Sequence, residues 1–160
     1  MTHRVYLALG SNLGDRQENL RQAVEGIKGF AEVVGLSAVY ETEPWGIEDQ
    51  PHFLNQAAEI ETELAPVELL AALKLLERRM GRRGGVRYGP RQIDLDILFY
   101  DEETLRLPEL EIPHPRLHER AFVLVPLADL APGLVHPHLG LTVQQMLGQV
   151  DRSGVKQADR

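Results

Sequence analysis

The chain has no cysteine among its 160 residues. Disulfide frameworks, cysteine–zinc sites, iron–sulfur clusters and thiol catalysis are excluded on that ground. Long apolar runs are missing too. Val5 to Leu9 is too short for the core of a signal peptide. Ala121 to Ala128 contains Pro126 and ends at Asp129, well short of the ~20 residues needed to span a bilayer. The sequence holds no GxxxxGK[ST] loop, no strand-linked GxGxxG and no GxSxG elbow. Any ATP chemistry here uses neither a P-loop nor a dinucleotide-binding turn, and no activated serine is signalled.

What is present is ordinary globular material, 43% apolar and 26% charged. The length suits one domain, expected over residues 1–150, and the polar stretch 151–160 reads as a flexible tail. The expectation is a soluble, cytoplasmic monomer. A net charge of −7 argues against nucleic acid or a membrane surface as partner. One segment departs from that average. Arg78, Arg79, Arg82, Arg83, Arg87 and Arg91 fall within fourteen residues that contain no acid. Arginine presents a planar fork suited to phosphate and carboxylate oxygens, so the cluster points to a small anion.

The pattern along the chain predicts six main elements. Residues 4–9 read as a buried strand, followed by the turn Gly10-Ser11-Asn12-Leu13-Gly14. Asp15 caps a helix whose apolar positions are Leu20, Ala23, Val24 and Ile27. Val33–Tyr40 is a second strand, and Phe53–Thr62 a third. Pro66 opens a second helix, with Leu69, Leu73, Leu76 and Met80 on one face. A fourth strand alternates Ile93, Leu95, Ile97 and Phe99, taken to face the core, with Asp94, Asp96 and Leu98. The order βαββαβ is that of ferredoxin-like α+β sandwiches: a mainly antiparallel sheet with helices on one face. Beyond residue 100 the pattern adds a hairpin over Leu105–Ile112, a helical stretch near Arg116–Leu130 and a last helix around Thr142–Val150. The loops Glu41–His52 and Gly81–Arg91 are long, and long loops in small domains are usually functional.

Asp94 and Asp96 carry the strongest chemical signal. Residues i and i+2 of a strand share a face, so two carboxylates stand side by side. Oxygen ligands on a rigid element suit Mg²⁺ completed by water and substrate phosphate, although a solvated sheet face fits the pair equally well on its own. The arginine–glycine loop leading straight into the pair favours the metal–phosphate reading, since arginines offset charge on transferring phosphoryl groups. Phe53 and Asn55 form a second i, i+2 pair that can stack on a flat heterocycle and hydrogen-bond its edge, or belong to the core. Pro113–Phe122 offers histidine and arginine near a turn. His136-Pro137-His138 has no third ligand nearby and reads as a turn.

Four motifs occur in order: Gly10-Ser11-Asn12-Leu13-Gly14, Tyr40-x-Thr42, Gln50-Pro51-x-Phe53-Leu54-Asn55 and Arg87-Tyr88-Gly89-Pro90-Arg91-x-x-Asp94-Leu95-Asp96-Ile97. With them the sequence closely resembles, from about residue 4 to residue 130, the hydroxymethyldihydropterin pyrophosphokinases of folate biosynthesis. The resemblance implies transfer of the β,γ-pyrophosphoryl group of ATP to 6-hydroxymethyl-7,8-dihydropterin, giving the pterin diphosphate and AMP, on a ferredoxin-like fold. It implies that Asp94 and Asp96 hold two Mg²⁺ ions. Phe53 and Phe122 would sandwich the pterin, Asn55 would read its pyrimidine edge, and Thr42, Trp45 and Arg120 would assist. Arg82 and Arg91 would act in catalysis. With Glu77, Arg83, Tyr88 and His114 they would bind ATP, while Ile97 and the segment Leu110-Glu111-Ile112 would flank its adenine. Tyr88 stands where tryptophan is common in the family, and Pro115 where a tyrosine can contact ATP. The competing reading is a non-catalytic ligand-sensing module on the same fold.

Overall fold

Val5, Leu7 and Leu9 alternate with Tyr6 and Ala8 along the first strand, and this alternation serves two apolar layers at once. The computed structural model describes residues 2–42, 52–81 and 92–158. In chain order it contains β1 (His3–Ser11), α1 (Arg16–Ile27), β2 (Glu32–Leu36), β3 (Tyr40–Thr42), β4 (Phe53–Thr62), α2 (Pro66–Arg79) and β5 (Asp94–Tyr100). The short pair β6 (Leu105–Arg106) and β7 (Glu111–Ile112) follows, then a 3-10 turn (Leu117–Glu119), α3 (Ala121–Leu130), α4 (Val143–Leu147) and β8 (Val155–Gln157).

The main sheet runs β5-β1-β4-β3-β8, with β2 also paired to β4. All of its described pairings are antiparallel. This is the expected ferredoxin-like order, with β2 and β3 laid end to end in the place of one strand. The single strand predicted over Val33–Tyr40 is therefore broken. Ser37 makes the break: its Oγ accepts from Ala57 N–H (2.8 Å) and donates to the Ala38 carbonyl (2.7 Å), competing with regular pairing. α1 and α2 cover one face through Leu20, Ala23, Ile27, Leu69 and Leu73. The opposite face, left open by a bare βαββαβ unit, is partly covered by α3 and α4 through Leu124, Leu127, Val143 and Met146.

β5 corrects a second expectation. Phe99 does not share the core face of Leu95 and Ile97. The register with β1 shifts between Tyr6 and Leu7, where Tyr6 opposes Phe99 and Leu7 opposes Ile97, so Leu98 is an extra, bulged residue. Leu98 and Phe99 consequently join the α3–α4 side, and Tyr100 returns to the α1–α2 side. The tail reading also changes. Val155–Gln157 pair with β3, and Ala158 N–H donates to the Val39 carbonyl (2.9 Å). Polarity suits this segment to an edge strand, whose outer side faces water. No described helix is long and apolar enough to cross a membrane.

His136 lies in the turn before α4, only 6% exposed and edge-on to Phe99 at 6.0 Å between centroids. Its Nδ1 accepts from the N–H groups of His138 and Leu139, both at 3.2 Å. Burial, then the neighbouring His138 and His118, holds its pKa below the ordinary histidine value. A histidine with a depressed folded-state pKa contributes stability above its unfolded pKa, about 6.5, and loses it as pH falls through the folded value. Thermal melts from pH 8 to pH 5 should therefore fall more steeply for the wild type than for His136→Asn, whose amide oxygen can replace the Nδ1 acceptor. Parallel curves would remove His136 as a source of acid sensitivity.

Candidate active site

The site begins at one glycine. Gly10, near the end of β1, lies opposite Asn55 on β4 and opposite Asp94 on β5. A Cβ at Gly10 would sit 3.2 Å from Asn55 Oδ1 and 3.5 Å from Phe53 Cδ1. A side chain there would fill the floor between the amide-bearing strand and the carboxylate-bearing strand. The turn after β1 is anchored beneath: Asn19 Nδ2 of α1 donates to Ser11 Oγ (3.1 Å) and to the Leu13 carbonyl (2.8 Å).

Asp94 and Asp96 share a face of β5 and are half-buried. Burial, then repulsion from Asp94, pushes the Asp96 carboxyl up to about 7. Glu77 adds to the rise, and Lys74 and Arg120 oppose it. A cation between the two carboxylates would relieve this repulsion, so the donor set fits a hard divalent metal. β5 is the sheet edge, and the N–H of Leu95, between the two aspartates, points away from β1. Glu77 Oε2 accepts it at 2.7 Å from α2. Glu77 is 1% exposed, with Lys74 Nζ 3.5 Å from its other oxygen. The carboxyl group thus braces the aspartate-bearing strand from outside the sheet. An acid four residues after Leu73, on an otherwise apolar helix face, is the sequence signal for that role.

The bulge at Leu98 places the next residue of the site. The Leu98 carbonyl accepts from His114 N–H (3.0 Å), which fixes the segment after β7. Burial, then Arg120, lowers the His114 pKa to about 4, while Asp94 opposes the shift. Its ring is neutral at pH 7. Nδ1 accepts from Arg116 N–H (3.3 Å), leaving Nε2–H as a donor for an anion.

The pterin-side residues also converge. Asn55 Nδ2 donates to Thr42 Oγ1 (2.8 Å), and both residues are buried, so the amide is held in one orientation. Phe53 opposes Thr42 in register. Thr42, Arg120 and Phe122 line one cleft of about 360 Å³. The Arg120 guanidinium stands 5.6 Å from the Phe122 ring centroid, and its buried Nε has no hydrogen-bond partner among the described residues. An orphaned cationic donor at a cleft wall is a ready contact for a ligand acceptor. Tyr40 O–H donates to Asp129 Oδ2 (2.7 Å), tying β3 to α3.

The adenine-side residues fall elsewhere. Ile97, Leu110 and Ile112 are buried together on the α1–α2 side, behind the aspartates, and Glu111 is half-buried on β7. Trp45, Arg82, Arg83, Tyr88 and Arg91 lie outside the described residues. Arg16 Nη1 holds both ends of the 43–51 segment, reaching Glu41 Oε2 (2.8 Å) and the His52 carbonyl (2.7 Å).

The model of the family described as 7,8-dihydro-6-hydroxymethylpterin-pyrophosphokinase matches residues 6–132. The chain is 49% identical over 132 residues to the 2-amino-4-hydroxy-6-hydroxymethyldihydropteridine pyrophosphokinase of Bacillus subtilis, covering 81% of this chain and 79% of that one. It is 43% identical over 158 residues to the protein of the same name from Pseudomonas aeruginosa, covering 98% and 97%. A mitochondrial folate synthesis bifunctional protein of Arabidopsis thaliana is 53% identical over 129 residues, 80% of this chain but 23% of its own length. Among solved structures, wild-type HPPK-DHPS of Plasmodium falciparum with pteroate superposes with a TM-score of 0.76 at 18% identity. That match covers 93% of this chain and 42% of the other, and it speaks for the fold alone.

Two stability measurements probe this geometry. An acid whose folded-state pKa is raised destabilises the fold increasingly as pH rises from its unfolded value, about 3.9, through the folded one. In EDTA, Asp96→Asn should therefore melt higher than the wild type at pH 8 and show little advantage at pH 4. Equal melting temperatures at pH 8 would mean that the aspartate pair is not strained. Glu77→Ala leaves the Leu95 N–H unmet and should cost about 1–3 kcal/mol in denaturant melts. Glu77→Gln, which keeps an acceptor oxygen, should recover most of that loss, and equal losses in both variants would count against the brace.

Proposed function

We infer the workings of the site from one premise: the chain belongs to the 7,8-dihydro-6-hydroxymethylpterin-pyrophosphokinase family, and its reaction is pyrophosphate transfer to hydroxymethyldihydropterin in folate synthesis. ATP is the co-substrate that a kinase of this kind implies. The observation that carries the residue assignments is the row Asn55–Gly10–Asp94 across three adjacent strands, with Asp96 beside it.

In this reading the flat pterin lies over the bare backbone at Gly10, between Phe53 and Phe122. Asn55, its amide held by Thr42, hydrogen-bonds the pyrimidine edge, with Trp45 and Arg120 in support. That pose puts the hydroxymethyl arm at the β5 end of the row. Asp94 and Asp96 would hold Mg²⁺ there, two ions in the family resemblance. Bound at this position, the metal supplies charge neutralisation for the triphosphate and a template for its orientation. The hydroxymethyl oxygen bonds to the β-phosphorus of ATP. The bond from that phosphorus to the α,β-bridging oxygen breaks, AMP leaves, and the hydroxyl proton passes to water. Neutral His114 donates from Nε2–H to a phosphate oxygen. Arg82, Arg83 and Arg91 offset phosphate charge, Tyr88 closes over the site, and Ile97 with Leu110, Glu111 and Ile112 forms the adenine side. Glu77 acts through β5 rather than on ATP, a change from its role in the resemblance. Such chemistry asks for positioning and charge stabilisation and needs no protein nucleophile. We further propose that the enzyme works as a monomer in the cytoplasm, where ATP is supplied.

Product identity tests the reading. Purified protein with ATP, Mg²⁺ and the pterin should yield equal amounts of AMP and pterin diphosphate, and neither without the pterin or with EDTA. ADP as product would overturn the assigned transfer. Asp96→Ala should lower kcat/KM by at least about a hundredfold, roughly 3 kcal/mol, as loss of one electrostatic stabiliser does. A near-wild-type rate would remove the metal assignment.

A further inference from the structure

Residues 151–155 lie beyond the 6–132 span of the family match, yet they form part of the cleft at the pterin end of the site. β8 pairs with β3 in a register that sets Val155 directly against Thr42, the residue that holds the Asn55 amide. The approach to β8 is an ordered turn: Asp151 Oδ1 accepts from Ser153 N–H (2.9 Å), and the Arg152 carbonyl accepts from Val155 N–H (3.1 Å). Asp151, Gly154 and Val155 line the cleft together with Arg120 and Phe122. Its volume of about 360 Å³ is near the small end of ligand pockets, enough for one bicyclic molecule and little more. A Cβ built at Gly154 meets nothing within 4 Å, and the backbone there is not in the left-handed region. Gly154 is exposed, so there is room for a side chain at this point of the cleft lining.

We propose that the Asp151–Val155 turn is a specificity-determining wall of the heterocycle subsite, limiting the cleft beyond Thr42 at the edge of the ring that Asn55 reads. This rests on the pterin reading of the site. Glycine at 154 leaves room for the ring's polar edge, and β8 keeps β3, and with it Thr42, at the right distance. Groups added to that edge of the heterocycle must meet Gly154 and Val155.

Gly154→Phe places a large side chain in the cleft lining without straining the backbone. Gly154→Phe should raise KM for hydroxymethyldihydropterin about tenfold, the scale on which a filled pocket discriminates, with KM for ATP within about twofold of wild type. Gly154→Phe and wild type should melt alike. A chain ended after Val150 should show the same selective loss of pterin affinity. If that truncation does not fold, Gly154→Phe decides alone. An unchanged pterin KM in folded Gly154→Phe overturns the wall. Wild-type turnover to AMP, measured in the same assay, separates this failure from failure of the pyrophosphokinase reading. Should the wild type not turn over, fluorescence titration with the pterin still compares the variants. Equal affinities, or no binding by wild type, would end the proposal.

Discussion

Asp94 and Asp96 carry like charge on the same face of β5, and holding them together against burial and mutual repulsion is the constraint that the surrounding structure answers. β1 pairs with β5 on one side. On the other, where an edge strand has no neighbour, the Glu77 carboxyl group takes the Leu95 N–H between the two aspartates. The strand cannot swing outward to separate the charges without leaving a buried N–H unpaired. Burial and like charge at the pair cost stability locally, and the contacts on both sides of β5 keep the strand from relaxing that cost.

The rest of the site is placed by the same sheet. β1 lies between β5 and β4, and its bare position at Gly10 lets Asn55 and Asp94 face a common space from the two strands that flank it. The bulge at Leu98 turns a carbonyl toward His114 and so brings a neutral imidazole near the aspartates. α3 partly covers the sheet face, and its N-terminal end, at Arg120 and Phe122, lines the cleft. One sheet face thus carries core residues at one end and the candidate site at the other.

Much of this architecture is legible in the amino-acid sequence. The βαββαβ order, the capping Asp15 and the i, i+2 carboxylates follow from local rules of period, turn chemistry and strand geometry, because each depends on residues close together in the chain. Three features are not legible there, each for a physical reason. The break between β2 and β3 depends on Ser37 meeting Ala57, twenty residues away. The facing of Phe99 depends on a register shift against β1, which no alternation within β5 can reveal. The polar segment 151–158 carries no apolar pattern, and it becomes a strand only because β3 offers it an open edge.

By itself the sequence determined the fold class, the family and the residue types of the chemistry: paired acids, an arginine-rich approach, an amide and aromatics for a flat ring. These are properties of spacing and side-chain identity, and they survive without knowledge of contacts. Only the tertiary structure decided that Glu77 braces β5, that burial lowers the His114 pKa, that Arg120 Nε meets no acceptor among the described residues, and that the C-terminal turn lines the cleft. Each of these is a contact, or a burial, between residues distant in the chain, and long-range pairing is settled when the layers pack.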